Sequence, residues 1–171
     1  MRIVLVGYMA SGKSSVGKLL AQELKMGFLD LDEYIEEELQ KSIADIFSEK
    51  GEIFFRKTEH QMLSNVLDQY DNIILSTGGG TPCYGNNMDL ILEKSDHSIY
   101  LQLSISALVE RVKDEKSQRP LIKDIDTADL AEFIGKHLFE RRQFYAKAMH
   151  TVSCDGKDLE TVVSEIKEAL I

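Results

Sequence analysis

The amino-acid sequence predicts an α/β fold in which a parallel sheet is covered by helices on both faces. Short apolar runs, typical of buried strands, alternate with stretches whose apolar residues recur at helical spacing. The chain has 171 residues, which suits one domain over 1–171. Because alternating strands and helices build parallel sheets, ligands are expected at the carboxyl ends of the strands.

Each predicted element rests on its own pattern. Nearly continuous apolar or β-rich runs predict strands over Arg2–Val6, Gly27–Leu31, Asn72–Ser76, Ser98–Leu103 and His150–Cys154. Apolar residues at helical spacing predict helices over Ser14–Lys25, Asp32–Gln40, Glu52–Tyr70, Met88–Lys94, Ser106–Lys113, Thr127–Lys147 and Leu159–Leu170. Ser42-Ile43-Ala44-Asp45 resembles a capping box that opens a short helix ending at Gly51. The polar segment Lys113–Thr127 is predicted as a lid or, equally, as a plain surface connection.

Composition restricts the partners and the compartment. The formal net charge of −9 argues against nucleic acid as the main partner and leaves an anionic small molecule open. The sequence has no long apolar run, and its first residues already form a predicted strand. We therefore expect a cytoplasmic protein without a membrane span or signal peptide. Cys83 and Cys154 match neither a metal cluster nor a disulfide framework, so both are expected as free thiols.

The most informative segment is Gly7-Tyr8-Met9-Ala10-Ser11-Gly12-Lys13-Ser14, between the first strand and the first helix. Its pattern, G-x-x-x-x-G-K-[ST], is that of a P-loop, in which backbone N–H groups and a helix N-terminus hold phosphate. Lys13 can reach the β- and γ-phosphates, and the Ser14 hydroxyl can ligate Mg²⁺. An ordinary glycine-rich turn is the alternative. The expected nucleotide contacts are Ala10, Ser11, Gly12, Lys13, Ser14 and Ser15.

Two carboxylates follow the second strand, in Phe28-Leu29-Asp30-Leu31-Asp32. Alternation with period two places Asp30 and Asp32 on one side of the strand, or at its end beside the P-loop. A P-loop kinase needs one acid near Mg²⁺ and one that holds the acceptor hydroxyl, and the two residues could divide these roles. Alternatively, one of them, in particular Asp32, caps the following helix, which does not exclude catalysis.

Three further groups suit an acceptor substrate. Arg56, next to Phe54-Phe55, could make a bidentate contact with a carboxylate, or it could cover phenylalanine at the surface. Gly78-Gly79-Gly80 follows an apolar strand and could allow a ligand to approach the backbone, or form a flexible turn. Arg141-Arg142 lies near the end of a predicted helix, where arginine also complements the helix dipole without any ligand.

Together these segments resemble the shikimate kinase family, in the nucleoside-monophosphate-kinase-like branch of P-loop proteins. The resemblance covers nearly the whole chain, and the ordered set of motifs is far more specific than any one of them. The motifs are Gly7–Ser14, Phe28–Asp32, Ser42–Phe47, Gly51-Glu52, Phe55–Glu59, Ser76–Gly80, Arg119-Pro120-Leu121, and Arg141 four residues before Tyr145.

This resemblance implies a three-layer α/β/α sandwich with a five-stranded parallel sheet in the order 2-3-1-4-5. It implies a lid over about 113–127 and a substrate-binding helical region over about 32–62. The implied reaction is phosphorylation of the 3-hydroxyl of shikimate by ATP, with Mg²⁺ as cofactor, on the route to chorismate and the aromatic amino acids. ATP and shikimate are the implied partners, and the implied state is a monomer.

On the nucleotide side, roles carry over by position. Lys13 and the P-loop backbone hold the β- and γ-phosphates, while Ser14 and Asp30 lie at the metal. Arg119 closes from the lid and stabilises charge on the transferring phosphoryl group. Arg111 packs against adenine.

On the acceptor side, the resemblance implies that Asp32 binds the shikimate hydroxyls and orients or deprotonates the acceptor. Arg56 and Arg141 pair with the substrate carboxylate, and Gly78-Gly79-Gly80 lines the pocket. The choice of Arg141 rests on its spacing from Tyr145.

The sequence departs from the family pattern at Ala10, where the family commonly has glycine. The segment Val152–Lys157, which in the family helps to bind adenine, has no clear alignment. Two other activities stay open as alternatives: a related small-molecule kinase, such as a gluconate or nucleotide kinase, and a non-catalytic P-loop binding module.

Overall fold

The computed structural model describes residues 1–119 and 121–171. In these residues one sheet has five parallel strands in the order β2-β3-β1-β4-β5, which confirms the predicted fold class. The strands are β1 Arg2–Val6, β2 Gly27–Asp30, β3 Ile73–Ser76, β4 His97–Gln102 and β5 His150–Ser153. The helices in the same residues are α1 Lys13–Leu24, α2 Leu31–Leu39, α3 Ile43–Gln69, α4 Asn87–Lys94, α5 Ile105–Lys113, α6 Leu130–Tyr145 and α7 Leu159–Ala169.

The sheet centre is apolar and closed to solvent. Ile3, Val4, Leu5 and Val6 of β1 are fully buried, as expected for a parallel strand covered on both faces. Helices α1 and α7 pack against each other on one side of the sheet. There α1 also contacts β3, and α7 also contacts β5. None of the described helices combines the length and apolar character that crossing a membrane requires.

Strand register places the site. Ser76 of β3 lies opposite Leu5 of β1 on one side and Asp30 of β2 on the other. The ends of β1, β2 and β3 therefore meet at one edge of the sheet, where the P-loop leaves β1. Sequence segments that are far apart in the chain supply neighbouring side chains at this edge.

Helix α3 contains the break that the sequence predicts. Ser42 caps its start by accepting a hydrogen bond from the backbone N–H of Asp45 at 3.1 Å. Gly51, with φ 83° and ψ 172°, is non-helical inside the element and bends it. The predicted short helix and the helix from Glu52 onward thus form two parts of one kinked element.

The segment predicted as a lid contains a turn of 3₁₀-helix at Lys116–Gln118 and the buried side chain of Ile122. Another 3₁₀ turn, Thr127–Asp129, precedes α6, so the regular helix begins at Leu130 rather than at Thr127. Pro120 of the predicted Arg119-Pro120-Leu121 motif lies outside the described residues. The role of this segment as a lid stays a prediction.

Candidate active site

The P-loop wraps around the ammonium group of Lys13. Its Nζ donates hydrogen bonds to the carbonyl oxygens of Gly7 at 2.8 Å and Tyr8 at 2.9 Å. Gly12 has φ 91°, a left-handed conformation that favours glycine, and it directly precedes α1. Burial lowers the pKa of Lys13 to about 8, with Asp32 and Asp30 opposing this effect. The lysine is therefore held inside the loop, at the N-terminus of a helix.

Ala10 is in a strained backbone conformation. Its φ of 62° lies in the left-handed region, which alanine occupies at a cost of about 1–2 kcal/mol. This is the position at which the family commonly has glycine. The P-loop therefore holds an alanine in a conformation that favours glycine, and the methyl group adds strain.

Beside the loop, three oxygen-bearing side chains come together. Ser14 Oγ donates to Asp30 Oδ2 at 2.7 Å and lies 3.5 Å from Ser76 Oγ. Asp30 Oδ1 accepts from the backbone N–H groups of Asp32 at 3.0 Å and Glu33 at 3.3 Å. Asp30, and not Asp32, is therefore the residue that caps α2. Hard oxygen donors of this kind fit Mg²⁺.

Asp32 lies in the first turn of α2, at the end of β2 rather than within the strand. Burial, together with the nearby carboxylates of Asp30 and Glu59, raises the pKa of its carboxyl to about 6. Lys13 and Arg56 oppose it. A carboxyl group with a pKa of this size is well suited to accept a proton near neutral pH.

The guanidinium group of Arg56 is held in place by a buried carboxylate, that of Glu59. Its Nη1 donates to Glu59 Oε1 at 2.8 Å, while Glu59, only 1% exposed, accepts a second hydrogen bond from Thr81 Oγ1 at 2.8 Å. The guanidinium carbon lies 3.8 Å from the centre of the Tyr84 ring. These contacts exclude the alternative of an arginine that merely covers phenylalanine at the surface.

The Nε–H group of Arg56 is buried and finds no hydrogen-bond acceptor within residues 1–119 and 121–171. A carboxylate oxygen of Glu52, Oε1, lies 3.8 Å from this nitrogen. The Nε edge of the guanidinium therefore faces protein, whereas its two terminal nitrogens approach Gly80.

The three glycines mark places where a side chain would collide with the site. A Cβ on Gly78 would lie 3.1 Å from Asp32 Oδ1, and one on Gly79 would lie 3.1 Å from the P-loop backbone nitrogen of Met9. A Cβ on Gly80 would lie 2.8 Å from Arg56 Nη2 and 3.3 Å from Arg141 Nη2. Because glycine has no side chain, the Asp32 carboxylate, the P-loop and two guanidinium groups can all approach this one turn.

Arg141 and Arg142, which are adjacent in α6, point toward different parts of the molecule. Arg141 approaches Gly79 and Gly80, whereas Arg142 lines a separate cavity of about 390 Å³ together with Tyr100. Arg141 is therefore the arginine that faces the candidate site. The spacing from Tyr145 indicates the same residue.

A cleft of about 540 Å³ joins most of these groups. The predicted site residues in its lining are Ala10, Gly12, Lys13, Ser14, Ser15, Asp30, Asp32, Gly78, Gly79, Arg111 and Arg119. The remaining predicted residues, Ser11, Arg56, Gly80 and Arg141, are not in this lining. Of these, Gly80 and the two guanidinium groups lie at its end beyond Gly79, and Arg56 also borders a second cavity of about 340 Å³.

Two arginines border the cleft on the P-loop side. Arg119 Nε donates to Glu115 Oε2 at 3.1 Å, and both side chains line the cleft. Arg111 Nη1 donates to the carbonyl oxygen of Ala10 at 3.2 Å. Beside Arg111, a cavity of about 140 Å³ is also lined by residues that follow β5, Cys154, Lys157, Asp158 and Leu159. The segment without a clear alignment therefore lies next to Arg111.

Several residues of the site have no assigned role in the sequence analysis. They are Glu59 and Thr81, which hold Arg56; Ser76 beside Ser14; Tyr84 under the Arg56 guanidinium; and the hydrogen-bonded pair Tyr8 and His137. Glu59 could have been found from its (i, i+3) spacing to Arg56. The others make contacts across long stretches of chain that leave no local pattern.

Comparison with known proteins gives a consistent result. The family model described as shikimate kinase matches residues 9–171. A shikimate kinase of Flavobacterium psychrophilum is 49% identical over 99% of this chain and 98% of its own length. The crystal structure of shikimate kinase from Bacteroides thetaiotaomicron has a TM-score of 0.93 at 36% identity, covering 99% and 98% of the two chains. The solved structure of shikimate kinase from Acinetobacter baumannii in complex with shikimate has a TM-score of 0.89 at 27% identity, covering 99% of this chain and 92% of that one.

Proposed function

The chain belongs to the shikimate kinase family, and we propose that it transfers the γ-phosphoryl group of ATP to the 3-hydroxyl of shikimate. One observation carries the proposal. A phosphate-binding loop, a partly buried carboxylate and two convergent guanidinium groups all lie against the same glycine turn. This arrangement suits a donor with phosphates and a compact acceptor that bears both hydroxyl groups and a carboxylate.

At the acceptor end, Arg56 and Arg141 bind the carboxylate of shikimate. The terminal nitrogens of Arg56 and Nη2 of Arg141 lie within 3.3 Å of a Cβ position built on Gly80, which supports this role because one carboxylate could accept from both groups. Glu59 and Thr81 hold Arg56 in position before the substrate arrives, which reduces the ordering that binding requires.

In the chemical step, the 3-hydroxyl oxygen attacks the γ-phosphorus while the bond between that phosphorus and the β,γ-bridging oxygen breaks, and ADP leaves. Asp32 orients the hydroxyl and takes its proton. Its pKa of about 6 supports this role, since the carboxylate is ionised near pH 7 yet basic enough to share a proton. Lys13 and Arg119 stabilise the charge on the phosphoryl oxygens, with Arg119 leaving Glu115 to do so.

Mg²⁺ is the metal that the site fits, through Ser14 and Asp30. Ser76 adds a third oxygen next to Ser14. When bound, the ion would neutralise charge on the β- and γ-phosphates. Asp30 is held by the backbone of α2 through one oxygen, so its other oxygen is kept directed at Ser14. On the same side, Arg111 and the residues after β5 would enclose the adenine.

The competing activities are phosphorylation of gluconate or of a nucleotide. The experiment is ADP release with MgATP and a panel of shikimate, quinate, gluconate and nucleoside monophosphates. We expect strong preference for shikimate, because two arginines and a glycine turn leave a small, positively charged pocket that fits a compact carboxylate. Equal or faster turnover of gluconate or a nucleotide would overturn the assignment, and Lys13→Met supplies the inactive control.

We also propose that the protein works in the cytoplasm as a monomer. Support for a reducing compartment comes from Cys83 and Cys154, which are both free thiols in the structure. Burial raises the pKa of Cys154 to about 11, so this thiol is poorly reactive. Sedimentation equilibrium of the purified chain tests the monomer, and cell fractionation tests the compartment.

A further inference from the structure

Helix α6 presents three side chains on one face, at intervals of four residues: His137, Arg141 and Tyr145. The outer two are hydrogen-bonded to the site. Tyr145 Oη donates to the carbonyl oxygen of Gly79 at 2.5 Å, and His137 Nδ1 is hydrogen-bonded to Tyr8 Oη at 2.9 Å. Arg141 therefore lies between two fixed points, one turn from each.

The contact between Tyr8 and His137 joins the P-loop directly to α6. The residues are 129 positions apart in the chain, the Tyr8 side chain is buried, and the two rings meet edge to face with centroids 5.4 Å apart. The carbonyl oxygen of Tyr8 also accepts from Lys13 Nζ. One residue thus connects the phosphate-binding lysine with the helix that carries the acceptor-binding arginine.

Both partners of this hydrogen bond are uncharged. Burial, together with the Arg141 guanidinium, lowers the pKa of His137 to about 4, so the imidazole is neutral near pH 7. Burial raises the pKa of Tyr8 to about 12, so the phenol stays protonated near pH 7. The contact therefore adds no anion that would compete with a substrate carboxylate for Arg141.

We propose that Tyr8 and His137 are positioning residues whose hydrogen bond, together with that between Tyr145 and Gly79, fixes the rotation of α6 and directs Arg141 at the acceptor. The inference rests on the proposed function, because it concerns the arginine that binds the shikimate carboxylate. Buried side chains such as Leu130 and Ile134 pack α6 against the core, and two hydrogen bonds on one face, two turns apart, set more exactly the direction in which that face points. The structure supplies both hydrogen bonds, on either side of Arg141.

The test is a set of three variants, Tyr8→Phe, His137→Leu and the double substitution. Shikimate binding is measured by calorimetry, and kcat and KM are measured for both substrates. Tyr8→Phe removes one oxygen and keeps the ring, so we expect KM and Kd for shikimate to rise about 3- to 10-fold, the usual worth of one hydrogen bond. For His137→Leu, which lies outside the P-loop, kcat at saturating shikimate and the KM for ATP should stay at the wild-type level. The double variant should bind shikimate no more weakly than whichever single variant binds it more weakly. The reason is that the two single substitutions remove the same hydrogen bond.

Tyr100→Phe is the matched control, because Tyr100 is also a buried tyrosine whose ring packs against Tyr145 of α6, at 5.3 Å. It should leave shikimate affinity unchanged. The proposal is wrong if Tyr8→Phe lowers the unfolding temperature but not shikimate affinity, if His137→Leu lowers kcat or ATP binding instead, or if the two single effects add. A wild-type protein that does not phosphorylate shikimate would refute the proposed function, whereas equal shikimate affinity in wild type and variants refutes the positioning role alone.

Discussion

Substituting Gly80 by alanine tests whether Arg56 and Arg141 bind the acceptor together. The backbone at Gly80 has φ −87° and ψ −18°, which alanine adopts freely, so any effect comes from the added methyl group. That Cβ would lie 2.8 Å and 3.0 Å from the two terminal nitrogens of Arg56 and 3.3 Å from Arg141 Nη2. All three distances are shorter than the 3.4 Å at which ordinary contact begins.

Arg56 has little room to move away. Its guanidinium is held by Glu59 on one edge and lies against the ring of Tyr84 on one face. We therefore expect it to rotate out of its present plane, which disrupts at least one hydrogen bond to the substrate carboxylate. A hydrogen bond to a charged group contributes about 1.5–3 kcal/mol. Losing one should weaken shikimate binding roughly 10- to 150-fold, since 1.4 kcal/mol corresponds to a factor of ten.

Calorimetry with shikimate and, separately, with ADP measures the effect. Gly27→Ala is the control, because a Cβ there would meet Asn72 O at 3.7 Å and Ile73 Cγ1 at 3.9 Å, which are ordinary contacts. Gly80→Ala should lose affinity for shikimate and keep it for ADP, while Gly27→Ala keeps both. Unchanged shikimate affinity in a folded Gly80→Ala protein, or an equal loss for ADP, would refute the convergence of the two arginines on the acceptor.

Three other predictions follow from single residues of the site. Because the ionised form of Asp32 accepts the proton and its pKa is about 6, kcat/KM should fall about tenfold per pH unit below pH 6 and level off above it. A pH profile measures this, and a flat profile between pH 5 and 7 would contradict it. Arg119→Ala should lower kcat by about 10²–10³ while both dissociation constants change little, because its charge acts in the transition state. Calorimetry beside steady-state kinetics separates the two effects, and a loss confined to binding would argue against this role. Ala10→Gly should raise the free energy of unfolding by about 0.5–1 kcal/mol, as relief of left-handed strain outweighs the added freedom of the unfolded chain. Urea unfolding measures it, and a decrease would show that the loop carries no such strain.

Much of the ATP-binding side of the site was predictable, because the motifs that indicate it are short, continuous segments of sequence. The P-loop is one continuous segment, and Asp30 and Asp32 follow a strand whose carboxyl end must reach the same edge of the sheet as β1. Local sequence did not decide how the two acids divide their roles. The backbone turns into α2 directly after Asp30, so Asp30 is the cap and the carboxyl of Asp32 turns toward Gly78.

The acceptor side depends on contacts between distant segments. Arg56 could have been a surface residue by its sequence, and only the buried Glu59 and Thr81 fix it in the site. The link between Tyr8 and His137 likewise leaves no periodic or spacing signal, because it spans 129 residues.

By itself the sequence predicted the fold class and the phosphate-binding loop, since these rest on periodicity and on a short motif with a fixed local geometry. The roles of Arg111, Arg119 and the two acceptor arginines were predicted from the family resemblance. Tertiary structure alone decided which groups converge. It turned Arg141 toward the glycines and Arg142 toward another cavity, although both occur side by side in one helix. The physical reason is that adjacent helical residues point about 100° apart, and helix packing against the rest of the fold selects which of the two directions faces the ligand.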